Sequence, residues 1–403
     1  MTGPAAATFW DRLLGRGPDG SALAGPGLPP GSGPLVWLRF DSGQPLPEAL
    51  PQMAGTPGAI AAALRRGRPG VRLVASHPAA PPAEGLIPDP GDDAAACRAV
   101  LAAVEPAALL LVGARLPAAL LDAAERQEVP VVLTEAALAA GPAPGFWQRG
   151  RRGSLAGAAR LFVPDSASRA AALRHGAAPG RVEVTGTYPA PRRPLGASEA
   201  ERAGLATLLR GRQVWFAVAV PESEEEAVIA AHKVVLDHSH RALLILSPAD
   251  PIRAGPLTLR LEADGMAPAL RSREAEVEAD VQVLVADDLS ELGLWYRLAP
   301  TTYFGGTLSG DDAAARDPLE AAALGSAILH GPRTARAPEA WRALDGARAA
   351  RLVKDADALA EAVDALMAPD QVAALAAAAW SVSTAGAAVA QRVAQAVVET
   401  LPR

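Results

Sequence analysis

Short apolar runs punctuate the first half of the chain: PLVWLRF (34–40), VRLVAS (71–76), ALLLVG (108–113), VPVVLT (129–134) and RLFVPD (160–165). Between them lie Ala-rich stretches of helical propensity, such as AGTPGAIAAALRRG (54–67) and DDAAACRAVLAAV (92–104). Strand-length runs alternating with helical stretches predict βα units and a parallel sheet covered on both faces. A second series follows, with strands predicted in RQVWFAVAV (212–220), RALLILSP (241–248), VQVLVAD (281–287), TTYFGGTL (301–308) and SAILHGP (326–332). EEEAVIAAHKVVLDHSH (224–240), SELGLWYRLA (290–299) and DPLEAAALG (317–325) are the helical pieces between them, and residues 370–400 are almost wholly helical by propensity.

GTYPAPRRPLGAS (186–198) concentrates prolines and is the best linker in the chain. At 403 residues the chain is long enough for two cores. The expected organisation is a leader arm at 1–33, an α/β domain at 34–190, a linker at 191–198, a second α/β domain at 199–380 and a C-terminal helix at 381–403.

Composition narrows the function classes. A net charge of −6 argues against a nucleic-acid binder, which needs clustered Lys and Arg. The single cysteine, Cys97, excludes an internal disulfide framework, and the six His lack metal-ligand spacing apart from His238 and His240 in a charged stretch, so no structural metal is expected. No window reaches the roughly 18–20 uninterrupted apolar residues of a membrane span, and the N-terminus lacks signal-peptide regions, which predicts a cytoplasmic protein. TFWDRLLGR (8–16) sets Phe9, Trp10, Leu13 and Leu14 beside Arg12 and Arg16, a pattern that suits either an anionic membrane surface or packing on its own domain.

The junction TTYFGGTLSGDDAAARDPLEAAALGSAILHGP (301–332) ends a strand in paired glycines and opens a helix at Asp317-Pro318-Leu319-Glu320, with N-cap, N1 proline and N3 glutamate. Such a junction at the carboxyl edge of a parallel sheet is where α/β proteins bind phosphorylated ligands, although simple capping explains the same residues.

The residues around that junction resemble the donor domain of the Kdo (3-deoxy-D-manno-octulosonic acid) transferases of lipopolysaccharide synthesis. VWFAVAVPESEEEAVIAAHKVVLDHSHRALLILSPADPIR is similar to that family's strand, Ser-Thr-His-Glu-Gly-Glu-Glu loop, helix, strand and Pro-Arg-His-Pro-Glu-Arg segment. VLVADDLSELGLWYRLAPTTYFGGTL resembles its Asp-Thr-Met-Gly-Glu-Leu stretch and Gly-Gly-Ser-Leu turn, and DPLEAAALGSAILHGP its Asn-Pro-Leu-Glu-Pro-Ala-Ala-Leu-Gly block. The likeness covers most of residues 34–390 and is strongest from about 213 to 332. It implies a GT-B type α/β fold, two Rossmann-like domains facing a cleft with a closing C-terminal helix.

The resemblance implies transfer of Kdo, or a related sugar acid, from CMP-Kdo to a lipid A precursor, inverting and without a metal or other cofactor. A peripheral place on the cytoplasmic face of the inner membrane goes with that acceptor. The donor cradle carried over comprises Glu222, Arg253, Ser290, Glu291, Gly305, Gly306, Thr307, Arg316, Asp317, Pro318 and Glu320, with Glu320 accepting ribose hydroxyls. Departures accompany it: Val220 and Pro221 stand for the family's Thr and His, Ala249 and Asp250 for Arg and His, Ser290 for Gly, and Asp317 for Asn. Asp317 adds a negative charge near the donor phosphate, which Arg316 or Arg253 would offset.

The first domain departs further. The acceptor hydroxyl must lose a proton, and the family's candidate base is a glutamate whose place is taken by Gln44. Asp41, three residues earlier, is the substitute carboxylate, or else Asp41 and Ser42 cap the turn that follows. PGFWQRGRRGS (144–154) sets Phe146 and Trp147 beside Arg149, Arg151 and Arg152, a surface for an anionic lipid or glycan acceptor or a solvated charge run. Two readings therefore stand, a divergent Kdo transferase and a non-catalytic paralogue acting as a binding or regulatory protein. A sugar-nucleotide epimerase of the same architecture fits fewer landmarks.

Overall fold

The apolar runs become the strands of two parallel sheets, because runs buried on both faces have no reason to alternate. A computed structural model describes residues 28–41, 55–79, 85–138, 155–186, 194–273 and 278–402. Most of the leader arm and residues 187–193 of the linker region lie outside them. The chain divides into two compact units, Met1–Pro191 with Gly386–Arg403, and Arg192–Ala385.

The first unit places β1 (Leu35–Phe40), α1 (Gly55–Gly67), β2 (Arg72–Ser76), α2 (Ala94–Val104), β3 (Ala108–Val112), α3 (Ala118–Arg126), β4 (Val131–Thr134), β5 (Arg160–Val163), α4 (Ser166–Arg174) and β6 (Val182–Val184) in chain order. Its six strands lie in the order β2-β1-β3-β4-β5-β6, all parallel. The order reverses between β1 and β3, and the crevice at such a switch point, outside the carboxyl ends of the strands, is where open α/β sheets bind ligands. Trp37, Leu109 and Leu133 face one helical layer, Val36, Leu38 and Leu110 the other.

The second unit holds α5 (Glu199–Leu208), β7 (Val214–Val220), α6 (Glu222–His238), β8 (Leu243–Pro248), α7 (Ala254–Ala263), β9 (Pro268–Leu270), β10 (Val283–Val285), α8 (Leu292–Leu298), β11 (Thr301–Phe304), α9 (Pro318–Ala322), β12 (Ala327–His330), α10 (Pro338–Gly346), β13 (Arg351–Leu352) and α11 (Ala356–Ala365). Its seven strands run β13-β12-β11-β7-β8-β10-β9, so the switch point lies between β7 and β11. The α/β fold class expected from the sequence, two Rossmann-like sheets of the GT-B type with a C-terminal helix, is the one the chain adopts.

The closing helix differs in extent from the expected 381–403. It is one continuous helix, α12 (Pro369–Val398), which starts in the second unit and ends in the first. Two separate cores hold it: Val372, Ala376 and Ala379 are buried in the second unit, Val389, Val393 and Val397 in the first. By length and composition alone α12 is apolar enough to cross a membrane, contrary to the expectation that no segment would be, but the buried valines show an apolar face already used in packing.

Candidate functional site

At the second switch point the backbone is held in conformations that its sequence does not favour. Ala219, next to last in β7, has φ 53°, and a strand irregularity falls between Ala217 and Val220. A left-handed alanine costs of order 1–2 kcal/mol. Gly305, just past β11, packs on that bend so closely that a Cβ would come within 2.4 Å of the Ala219 carbonyl oxygen. Only glycine admits this approach.

The turn that follows is built around one carboxylate. Glu224, in the first turn of α6, is 2% exposed. Its Oε2 accepts from the Tyr303 hydroxyl at 2.7 Å and Gly306 N at 2.9 Å, and its Oε1 from Leu308 N at 3.0 Å, Ser309 N at 2.6 Å and Ser309 Oγ at 2.7 Å. Such charge-assisted bonds are the strong ones, and a buried carboxylate is tolerated only when so satisfied. Burial, then the Glu224 charge, push the Tyr303 phenol well above its ordinary range, so it remains a donor.

The next loop, after β12, is stitched to the turn. Gly331 N donates to Thr307 Oγ1 at 2.7 Å, Arg333 N donates to Thr307 O at 2.9 Å, and Arg333 Nη1 donates to Ser309 O at 2.8 Å. Between the two loops lies a narrow crevice of about 10 Å³, lined by Gly305, Thr307, Asp312, Arg316, Arg333 and Arg336, with the rings of Phe304 and Trp341 in its wall.

Of the residues assigned from the sequence, Gly305, Gly306 and Thr307 form this turn, Arg316 lines the crevice beside it, and Asp317, Pro318 and Glu320 open the α9 helix that follows. Arg316 forms a bidentate pair with Glu320, Nη2 to Oε1 at 3.0 Å and Nε to Oε2 at 3.2 Å. Both lie by the buried Tyr296, whose phenol is raised by burial and then by the Glu320 charge. Asp317 caps α9 by accepting from Leu319 N at 2.9 Å, and Pro318 is its N1 residue.

The remaining donor assignments are engaged in other pairs. Glu222 is exposed and pairs with Arg253 at 3.2 Å, and Arg253 is also bonded to the buried Glu225 at 2.9 Å. The glutamate that organises the turn is two residues further along, because Glu224 and Glu225 share the buried side of α6 with Val228 and Ile229. Glu291 is tied to Arg271 at 2.8 Å, and Ser290 N is held by Asp288. Sequence reasoning missed Glu224, Arg333 and Arg336.

In the first unit Asp41 is 8% exposed, and its Oδ2 accepts from Ala114 N at 2.7 Å and Arg115 N at 3.2 Å, just beyond β3. The carboxyl presses on Gly113, where a Cβ would lie 2.2 Å from it. Asp41 thus caps a loop 73 residues away, since β1 and β3 are sheet neighbours. Gln44, Phe146, Trp147, Arg149, Arg151 and Arg152 lie outside the described residues.

Residues 59–188 match the family model of the 3-deoxy-D-manno-octulosonic-acid transferases (kdotransferases). The chain is 30% identical over 309 residues to the 3-deoxy-D-manno-octulosonic acid transferase of Bordetella pertussis, covering 74% of this chain and 71% of that protein. It is 29% identical to the Haemophilus influenzae enzyme of the same description over 39% of this chain, and spans only 36% of that relative's length. Among solved structures, the C-terminal CMP-Kdo binding domain of WaaA from Acinetobacter baumannii is 25% identical, with 46% of this chain and 98% of that one covered and a TM-score of 0.43. The chain belongs to the Kdo transferase family. The family match lies in the first half, where short motifs had shown the weaker likeness.

Proposed function

We propose that the protein is a glycosyltransferase that takes Kdo, or a related sugar acid, from a CMP-linked donor and places it on a lipid A precursor at the cytoplasmic face of the inner membrane. The observation that carries this reading is the Gly305–Ser309 turn, fixed from one flank by the buried Glu224 and flanked on the other by the Arg316–Glu320 pair. A rigid glycine turn at a switch point admits a nucleotide close to the backbone, and a carboxylate on its rim offers lone pairs to ribose hydroxyls. In an inverting transfer the acceptor oxygen bonds to the anomeric carbon opposite the phosphate, and the donor C–O bond breaks with its electron pair on the phosphate oxygen. The acceptor proton passes to a base.

The second reading, a non-catalytic paralogue that retains nucleotide affinity, is favoured by the engagement of Asp41 with backbone N–H groups together with Gln44 at the position of the family glutamate. Calorimetric titration with CMP and CMP-Kdo tests what both readings share. We expect binding that Glu320→Ala weakens by about tenfold or more. No binding to the wild type up to millimolar nucleotide would sink the donor site, and binding without sugar transfer to a lipid A precursor would leave the paralogue.

A further inference from the structure

We infer that Arg333 and Arg336 form the phosphate seat of this site and hold the nucleotide phosphate as it leaves, an inference that rests on the donor-binding reading above. Three guanidinium groups line the pocket between the loops after β11 and β12. Arg316 is already neutralised by Glu320. Arg333 and Arg336 pair with no carboxylate among the described residues and reach only backbone carbonyls, Ser309 O at 2.8 Å and Ala313 O at 3.5 Å. Asp312 is the one further carboxylate in the lining, so positive charge is left in excess.

Arg333 is also preorganised. Its backbone N–H is tied to Thr307 O, and its side chain lies along Gly310, where a Cβ would approach Cδ to 2.8 Å. A guanidinium has five N–H donors in a fixed fork, and the bond to Ser309 uses one of them. The rest suit a tetrahedral anion, for which two fork-like donors are the common protein answer. The α9 helix has only five residues, so its N-terminus is too short a dipole to do this work.

The charge has a use in the reaction. Before transfer the donor phosphate is a diester with one negative charge. Cleavage leaves the C–O electron pair on a phosphate oxygen and produces a monoester with a second charge, while the acceptor oxygen forms the new bond and its proton goes to the base. Cations fixed beside that oxygen bind the departing group more tightly than the donor, which lowers the barrier.

The test is titration of the full-length protein with CMP and with cytidine, at two salt concentrations, for wild type, Arg333→Gln, Arg336→Gln and the double variant. We expect the double variant to lose about tenfold or more of its CMP affinity, to lose salt dependence, and to keep its cytidine affinity and melting temperature. Because Arg333 also bonds Ser309, Arg333→Gln alone confounds the phosphate contact with the turn; Arg336→Gln decides, and unchanged CMP binding there overturns the inference. CMP binding that Glu320→Ala abolishes but the double variant leaves intact overturns the phosphate seat and spares the donor site. A wild type that binds neither compound overturns both.

Discussion

Both switch points are bridged by one buried carboxylate, but the carboxylates do different work. In the first unit Asp41 stands at the end of β1 and takes the N–H groups of Ala114 and Arg115, so the side chain itself fills the space against Gly113. In the second unit Glu224 comes from α6 and takes the N–H groups of Gly306, Leu308 and Ser309, while Gly305 and Thr307 on the same turn line an arginine pocket. A carboxylate that organises a loop from one side leaves the other side for a ligand. A carboxylate that is itself the filler does not, which is why the donor-binding claim rests on the second unit.

Removing Glu224 breaks this comparison most directly. Glu224→Ala leaves five donor groups without their acceptor, and we expect a loss of about 3–4 kcal/mol of stability together with CMP binding. Glu224→Gln keeps acceptor capacity at one oxygen and should fall between. Urea unfolding and CMP titration measure the two effects, and a Glu224→Ala variant that binds CMP normally would remove the turn from the site.

The units also differ in what they bury. His232 of α6 is fully buried, accepting from Trp215 Nε1 at 3.1 Å on Nδ1 and donating through Nε2 to Gln282 O at 2.9 Å. Burial pushes its imidazole down to about 4 from the usual 6.5. The unfolded chain therefore binds a proton that the folded chain refuses, so this contribution is fully present above about pH 6.5 and is lost as the pH falls towards 4. It amounts to about 3 kcal/mol. The stability difference between wild type and His232→Gln should shrink by that order between pH 7 and pH 4, and a constant difference would mean that His232 is not the group responsible. The first unit's buried histidine, His77, is held differently, accepting on Nδ1 from the nearby Ala79 N at 3.0 Å.

Much of the fold was legible because parallel strands buried on both faces write themselves as continuous apolar runs. The strands that escaped are those without such a run: β6 (Val182–Val184), β9 (Pro268–Leu270) and β13 (Arg351–Leu352) exist through pairing with β5, β10 and β12. The run 370–400 read as helical and is one helix, α12, and only the division between 380 and 381 cut across it, because packing in both units carries the helix through. In the site, Gly305 and Gly306 announced themselves, but Glu224, Glu225 and Glu226 open a helix as three adjacent acidic residues, which the dipole favours whether or not they are buried. The spacing i, i+4 from Glu224 to Val228 and from Glu225 to Ile229 was the available signal that two of them face inward. Arg333 and Arg336 gave no signal, since two cations in a loop become a pocket only when the loop after β11 is folded against them.

The smallest expected effect is the most discriminating for the first unit. Asp41→Asn keeps the shape of the side chain and one acceptor oxygen but removes the charge that Ala114 N and Arg115 N meet. If the carboxylate is a filler of the switch point, stability falls by about 1 kcal/mol and any sugar transfer persists at a comparable rate. If the same carboxylate takes the acceptor proton, transfer falls by about a hundredfold or more while CMP binding is unchanged, because a general base contributes on that scale and the nucleotide never touches it. The two outcomes separate cleanly because they move different observables. A filler shifts the unfolding midpoint with the rate intact, whereas a base loses the rate as well as that stability, which would give the first-unit switch point the same standing as the second.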